Sequence, residues 1–169
     1  MSRFYCSIQE FILLSYSNNK IMFSEDALVS MANGTFKSIK LLVRGDVILN
    51  KFGKKTVVLS VKTHQNENTI RVQLDNGTGT FYMSPDTIVL GYYRTPELTL
   101  KSEYAPISQI KANNGFLKSD LKIFSPDSDC KIELYEIAQQ QTLYSLTTSD
   151  NSKSYKVNKI IVSNQPSHW

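Results

Sequence analysis

Histidine and cysteine are scarce in this chain, two of each among 169 residues. Cys6 and Cys130 stand too far apart for a zinc-binding pair, and nothing requires them to form a disulfide. A reducing setting, intracellular or within a viral assembly rather than secreted, is therefore expected. Imidazole chemistry has only His64 and His168 to draw on; the first falls in a predicted strand as a surface or packing residue, the second in the terminal tail. No run approaches the roughly 20 apolar residues that cross a bilayer as a helix. Phe11-Ile-Leu-Leu14 is short, follows Glu10 and lacks a small-residue cleavage site, so it reads as part of a packed arm rather than a signal peptide. Charge of one sign is not concentrated either. The net charge is +4 with a pI near 9.0, and the lysines are scattered, as on a solvated surface. No motif supports a cofactor or metal site.

What the chain does have is 41% hydrophobic residues, enough for one domain with a sizeable core. Runs rich in β-branched and aromatic residues recur at short intervals and predict an all-β fold. Strands are expected over Ala27–Met31, Asp46–Asn50, Lys55–His64, Asn68–Leu74, Thr80–Met83, Ile88–Tyr93, Lys122–Phe124, Lys131–Glu136, Thr142–Thr148 and Tyr155–Val162. Turn signals separate them: Asn33-Gly34, Phe52-Gly53, Asn76-Gly77, Ser84-Pro-Asp86 and Asp150-Asn151. The Asn-Gly pairs suit the positive φ of tight reversals. Helix is limited to single turns at Ser38–Val43 and Glu136–Gln141, and the polar stretch Ser102–Ser119 reads as a connection that interrupts the strand rhythm.

Two separated segments carry a family pattern. Near the start, Met22-Phe-Ser-Glu-Asp-Ala-Leu-Val-Ser-Met-Ala-Asn-Gly34 is followed by Gly45-Asp-Val-Ile48; near the end stands Tyr155-Lys-Val-Asn-Lys-Ile-Ile-Val-Ser-Asn164. The chain resembles the Hint family, the hedgehog autoprocessing and intein domains, and specifically a mini-intein, with the short Ser102–Ser119 connection where many inteins carry a linker or an endonuclease. The resemblance implies a flattened, mainly antiparallel horseshoe with pseudo-twofold halves. It also implies a division into an arm (1–20), a Hint-like domain (21–164) and a tail (165–169).

The family's chemistry is self-catalysed rearrangement of the backbone. A resonance-stabilised amide yields only to an activated nucleophile assisted by proton donors. At the nucleophile position the resemblance places Met22, whose thioether has no proton to lose. Ser24, two residues on, is out of register with Ala27-Leu-Val29. Where the family has Thr-x-x-His, with an imidazole that protonates the leaving nitrogen, this chain has Ser84-Pro-Asp-Thr87. Ser84 reads either as a hydrogen-bond donor or as a turn residue before Pro85. Later in the pattern, Ser145 stands at an acidic or thiol position and Asn151-Ser152 where a histidine is expected. Ser163 replaces the penultimate histidine, leaving only Asn164, the residue that would cyclise to release the C-terminal tail.

The expectation is a Hint scaffold without catalysis, degenerate at every position but Asn164 and used as a structural or protein-interaction module. Partner contacts are expected through the arm (Phe4, Tyr5, Phe11, Leu13, Leu14) or through Trp169. Richness in Asn, Lys, Ile, Tyr and Ser is that of an A·T-rich coding genome, for which a virion component or other large assembly is a fitting setting. Two alternatives stand beside it: residual cleavage after Asn164, and nucleic-acid binding through Lys51, Lys54, Lys55 and Arg71, which steep salt dependence would reveal.

Overall fold

The computed structural model describes residues 21–94, 97, 100–121 and 129–163. Met31 forms a backbone bridge to Ile48, and Ala32 N–H donates to Val47 C=O at 3.0 Å, so strands near the two ends of one long antiparallel sheet are drawn together. Among the described residues eleven strands make up that sheet. In chain order they are β1 (Leu28–Ser30), β2 (Phe36–Ser38), β3 (Val47–Leu49), β4 (Lys55–Leu74), β5 (Thr80–Met83), β6 (Ile88–Arg94), β7 (Leu100–Pro106), β8 (Phe116–Lys118), β9 (Asp129–Thr148), β10 (Ser154–Val157) and β11 (Ile160–Ser163). Their spatial order is β2-β1-β10-β11-β6-β8-β9-β4-β3, with β5 paired to β4 and β7 to β6. The all-β expectation holds, in a sheet curled around a core of Phe23, Val29, Ile48, Val72, Phe81, Ile88, Tyr155 and Ile161, all fully buried. At its centre the Phe23 ring lies 6.4 Å from Phe81 and 6.5 Å from Tyr155.

Several expected elements are redrawn. Lys55–His64 and Asn68–Leu74 are one strand, β4, and Lys131–Glu136 and Thr142–Thr148 are one strand, β9. Glu136–Gln141, expected as a helical turn, is β9 interior paired to β4 through Thr69↔Ala138 and Glu67↔Gln141. Its helix-favouring glutamines are held in extended form by that ladder, which tertiary pairing supplies and local propensity does not. A register shift between His64 and Glu67, with Asn66 at φ 55, bends the ribbon instead of ending it.

Tyr155–Val162, read as one strand, is the hairpin β10–β11. Val157 pairs with Ile160, and the two residues between them have positive φ, Asn158 at 48° and Lys159 at 64°, as a tight primed turn requires. Ser102–Ser119 is not a bare connection: it holds part of β7, a short helix α1 (Ile107–Ala112) and β8, anchored by buried Ile107, Ile110 and Leu117. Gly115 makes this possible, since a Cβ there would lie 2.6 Å from the Tyr92 carbonyl oxygen. The Ser38–Val43 turn is a 3-10 turn at Ile39–Leu41, while β2 was not anticipated. Lys122–Phe124 lies outside the described residues, as do the arm (1–20) and Asn164 to Trp169. Among the described residues no helix is long and apolar enough to cross a membrane.

Asn158 ties the hairpin to both neighbours. Its Oδ1 accepts the Leu28 N–H at 2.8 Å, its own N–H donates to Leu28 C=O at 2.8 Å, and its carbonyl accepts from Asn76 Nδ2 at 2.9 Å. Asn158→Ala strands the half-buried Leu28 N–H and puts a Cβ residue without a stabilising side chain at positive φ. We expect a loss of about 2–4 kcal/mol, measured by urea unfolding.

Candidate functional site

The chain enters the sheet at its middle. Phe23 exchanges two backbone hydrogen bonds with Tyr144 of β9, at 2.9 and 2.7 Å, while Ser24 N–H donates to Tyr82 C=O at 2.8 Å and Ser84 N–H to Met22 C=O at 3.0 Å. Residues 22–24 are thus stitched between β9 and the β5 end, with Ile21, Met22, Phe23 and Ser24 all buried. The Ser24 hydroxyl oxygen accepts the Tyr82 N–H at 3.0 Å. It acts as a turn anchor and is committed to that strand.

Thr87, fully buried just before β6, stands against the same segment. Its Oγ1 is 3.3 Å from Met22 N and 3.4 Å from Met22 O, accepting from the amide and donating to the carbonyl. The nitrogen it touches belongs to the Ile21–Met22 peptide bond, the bond an N-terminal acyl shift would break. Imidazole titrates near neutrality, with a pKa of ~6.5, and can deliver a proton; an alcohol cannot. Ser84, also buried, has its hydroxyl oxygen accepting Asp86 N–H at 3.2 Å, and its carbonyl accepts Thr87 N–H at 3.1 Å. Of the two readings, the turn role is the one its geometry displays.

The closing segment arrives alongside. Val162 of β11 pairs with Val89, which sets the end of β11 beside the Thr87–Ile88 start of β6. Ser163, fully buried, sits opposite Ser154. Met22, Ser84, Thr87 and Ser163 are therefore drawn toward one region, and Asn164 lies just beyond the described residues. Ser145 follows Tyr144, the backbone partner of Phe23, along β9, and is hydrogen-bonded to His64 at 2.8 Å. The remaining cysteine of the described region, Cys130, is buried, and burial foremost, with the Asp75 and Asp129 charges, pushes its thiol up to about 12. It carries no thiolate near neutrality.

One polar cluster escaped the sequence reading. Asp150 collects hydrogen bonds from Asn50 Nδ2 (2.9 Å), Thr56 Oγ1 (3.0 Å), Thr148 Oγ1 (3.4 Å) and the Ser152 hydroxyl. Ser152 Oγ is in turn 2.8 Å from Ser154 Oγ, which accepts Lys51 N–H at 3.0 Å. The cluster clamps the β3–β4 and β9–β10 connections together. Only the Asp150-Asn151 turn signal hinted at it. Lys51 Nζ lies 5.2 Å from the Phe52 ring centroid and 5.3 Å from that of Tyr104, and Arg71 pairs with Glu136 at 3.6 Å. The basic residues considered for nucleic acid thus include two with intramolecular partners, while Lys54 and Lys55 are exposed.

The arrangement has counterparts among solved structures. The gp41-1 intein aligns over 84% of this chain and 97% of its own length at 18% identity, with a TM-score of 0.57. A bacterial intein-like domain from Clostridium thermocellum aligns over 86% of this chain and 99% of its own at 12% identity and a TM-score of 0.60. The fold is the Hint fold. A DnaB intein from Synechocystis sp. PCC 6803 matches similarly, with 84% of this chain and 96% of that one covered at 19% identity and a TM-score of 0.56. No protein-family model and no curated protein matches the sequence. At such identities the Hint likeness speaks for architecture alone, so chemistry has to be argued from the residues at its centre.

Asp150 offers a check on the clamp. Burial opposes its charge, but the Ser152, Asn50, Thr56 and Thr148 donors together outweigh that and hold the carboxyl below the usual carboxylate range. A folded pKa below the unfolded one adds stability at neutral pH that is lost as pH falls through and below the ordinary carboxylate range. Asp150→Asn should therefore be less stable at pH 7 and lose less on acidification than the parent, as read by thermal melts across that range.

Proposed function

We propose that this protein is a catalytically silent Hint domain, retained as a structural or protein-interaction module. The observation that carries the reading is the Thr87 hydroxyl seated 3.3 Å from the Met22 nitrogen. The contact that would activate the peptide bond is occupied by a group that holds the amide without protonating it, and Met22 beside it offers no nucleophile. A missing acid–base or oxyanion group typically costs about 10²–10⁴ in rate, and losses at several positions leave only background reaction. Ser163, buried in place of an imidazole, extends the same argument to the closing junction. A sheet of this kind keeps its fold without those groups because its core is built from Val, Ile, Leu and aromatic strand positions. The A·T-biased composition favours work within a large assembly, such as a virus particle, over a solitary enzyme.

Intact-mass spectrometry of the full chain, incubated for days with and without a strong thiol, is expected to return an unchanged mass. Loss of the segment Gln165 to Trp169 would instead assign residual cleavage to Asn164. A constructive test complements it. Met22→Cys alone should remain intact, whereas Met22→Cys combined with Thr87→His should show thiol-dependent scission between residues 21 and 22, since only the pair supplies both nucleophile and acid.

A further inference from the structure

Ile137 is the most exposed large apolar side chain among the described residues, at 91%, yet it lies on the face of β9 that carries the core. Its cross-strand partner Ile70 is buried, and two residues along the same face Tyr135 packs against the core opposite buried Val72. The core face of the ribbon therefore continues past the last core side chain and ends in water at an isoleucine. The backbone beside it is also open. β4 takes one edge of β9 from Ile132 to Thr148, while the other edge is paired to β8 over Asp129–Lys131 and to Phe23 at Tyr144. Between those two contacts no strand among the described residues pairs with that edge. The ladder to β4 is regular there from Leu134 to Ala138, with a register shift on either side. A regular unpaired edge offers its N–H and C=O groups to another strand, a hazard usually blunted by lysine or proline. Leu134-Tyr-Glu-Ile-Ala-Gln-Gln140 holds neither, and its one charge, Glu136, is 3.6 Å from Arg71.

The order of these residues selects the occupant. Two copies of one strand that pair antiparallel about a twofold axis set one residue opposite itself. With Glu136 on the axis two carboxylates face each other, and like charges directly opposite are destabilising. With Tyr135 or Ala138 on the axis, Ile137 faces Glu133 or Gln139 of the copy. With Ile137 on the axis, the two isoleucines face each other, Glu136 faces Ala138, and Tyr135 faces Gln139. This last register covers the exposed side chain with apolar surface and opposes no charges. We propose that two copies of this chain associate edge to edge through β9, antiparallel about a twofold axis at Ile137, so that each Ile137 is covered by the other. The contact is short, which makes the association weak and concentration-dependent. It uses neither Met22, Thr87 nor Asn164, and so stands independently of whether the junctions react.

Sedimentation equilibrium of the full chain should show the mean mass rising with concentration from 19.2 kDa toward twice that value. Ile137→Lys, at a site too exposed to disturb folding, should hold it at the monomer. Cysteines placed singly in a Cys6→Ser background read the register, since Cys130 is buried and its thiol is pushed up to about 12. Directly opposed strand residues have Cα atoms about 4.5–5.5 Å apart, within disulfide reach. Ile137→Cys should therefore oxidise to a covalent dimer several-fold faster than Leu59→Cys, an exposed position away from this edge. Glu136→Cys mixed with Ala138→Cys should cross-link faster than either variant alone. A monomer mass at every concentration overturns the proposal, as does equal cross-linking at positions 137 and 59. Association that survives Ile137→Lys also overturns it, by placing the interface elsewhere on the molecule.

Discussion

The rest of the molecule depends on three residues of backbone, Met22 to Ser24, being paired on both sides: with Tyr144 of β9 and with the Tyr82–Ser84 end of β5. That pairing fixes Phe23 between Phe81 and Tyr155, so that this entering segment becomes the middle of the core rather than an edge. Once the entering chain is committed to the centre, the curled sheet must wrap around it. The Met31–Ile48 bridge and the Asn158 contacts to Leu28 and Asn76 close that wrap.

The same constraint shows what the small polar residues at the centre do for the structure. Thr87 is needed where it stands because a buried amide must be satisfied, and a hydroxyl meets that requirement as well as an imidazole would. Ser163 and Ser154 are likewise small polar residues at buried strand positions facing each other. What differs between a reactive and an inert version of the site is the capacity to move a proton, which packing does not test.

Much of the architecture was legible in the chain. Alternating β-branched residues marked the strands, and Asn-Gly pairs marked reversals. The motif spacing singled out Met22 and Thr87, and the structure sets the Thr87 hydroxyl 3.3 Å from the Met22 nitrogen. Misreadings have a common cause. Stretches at 65–67 and 137–141 looked like interruptions because they pair across the ribbon, more than seventy residues apart in sequence, as Glu67 does with Gln141. Lys159 hid a hairpin because lysine does not advertise positive φ. Ser145, set at the site by its position in a motif, is hydrogen-bonded to His64 of the paired strand. The Asp150 cluster joins four hydrogen-bond donors from Asn50 to Ser152, a long-range arrangement without a local signature.

The most direct test of the central claim, a Hint scaffold whose reactive centre is held but inert, is to place the chain in frame between two unrelated reporter domains and monitor the products by denaturing gel over time. A single full-length precursor, stable with and without thiol, is the predicted result. Ligated reporters, or a freed carboxy-terminal reporter, would contradict it.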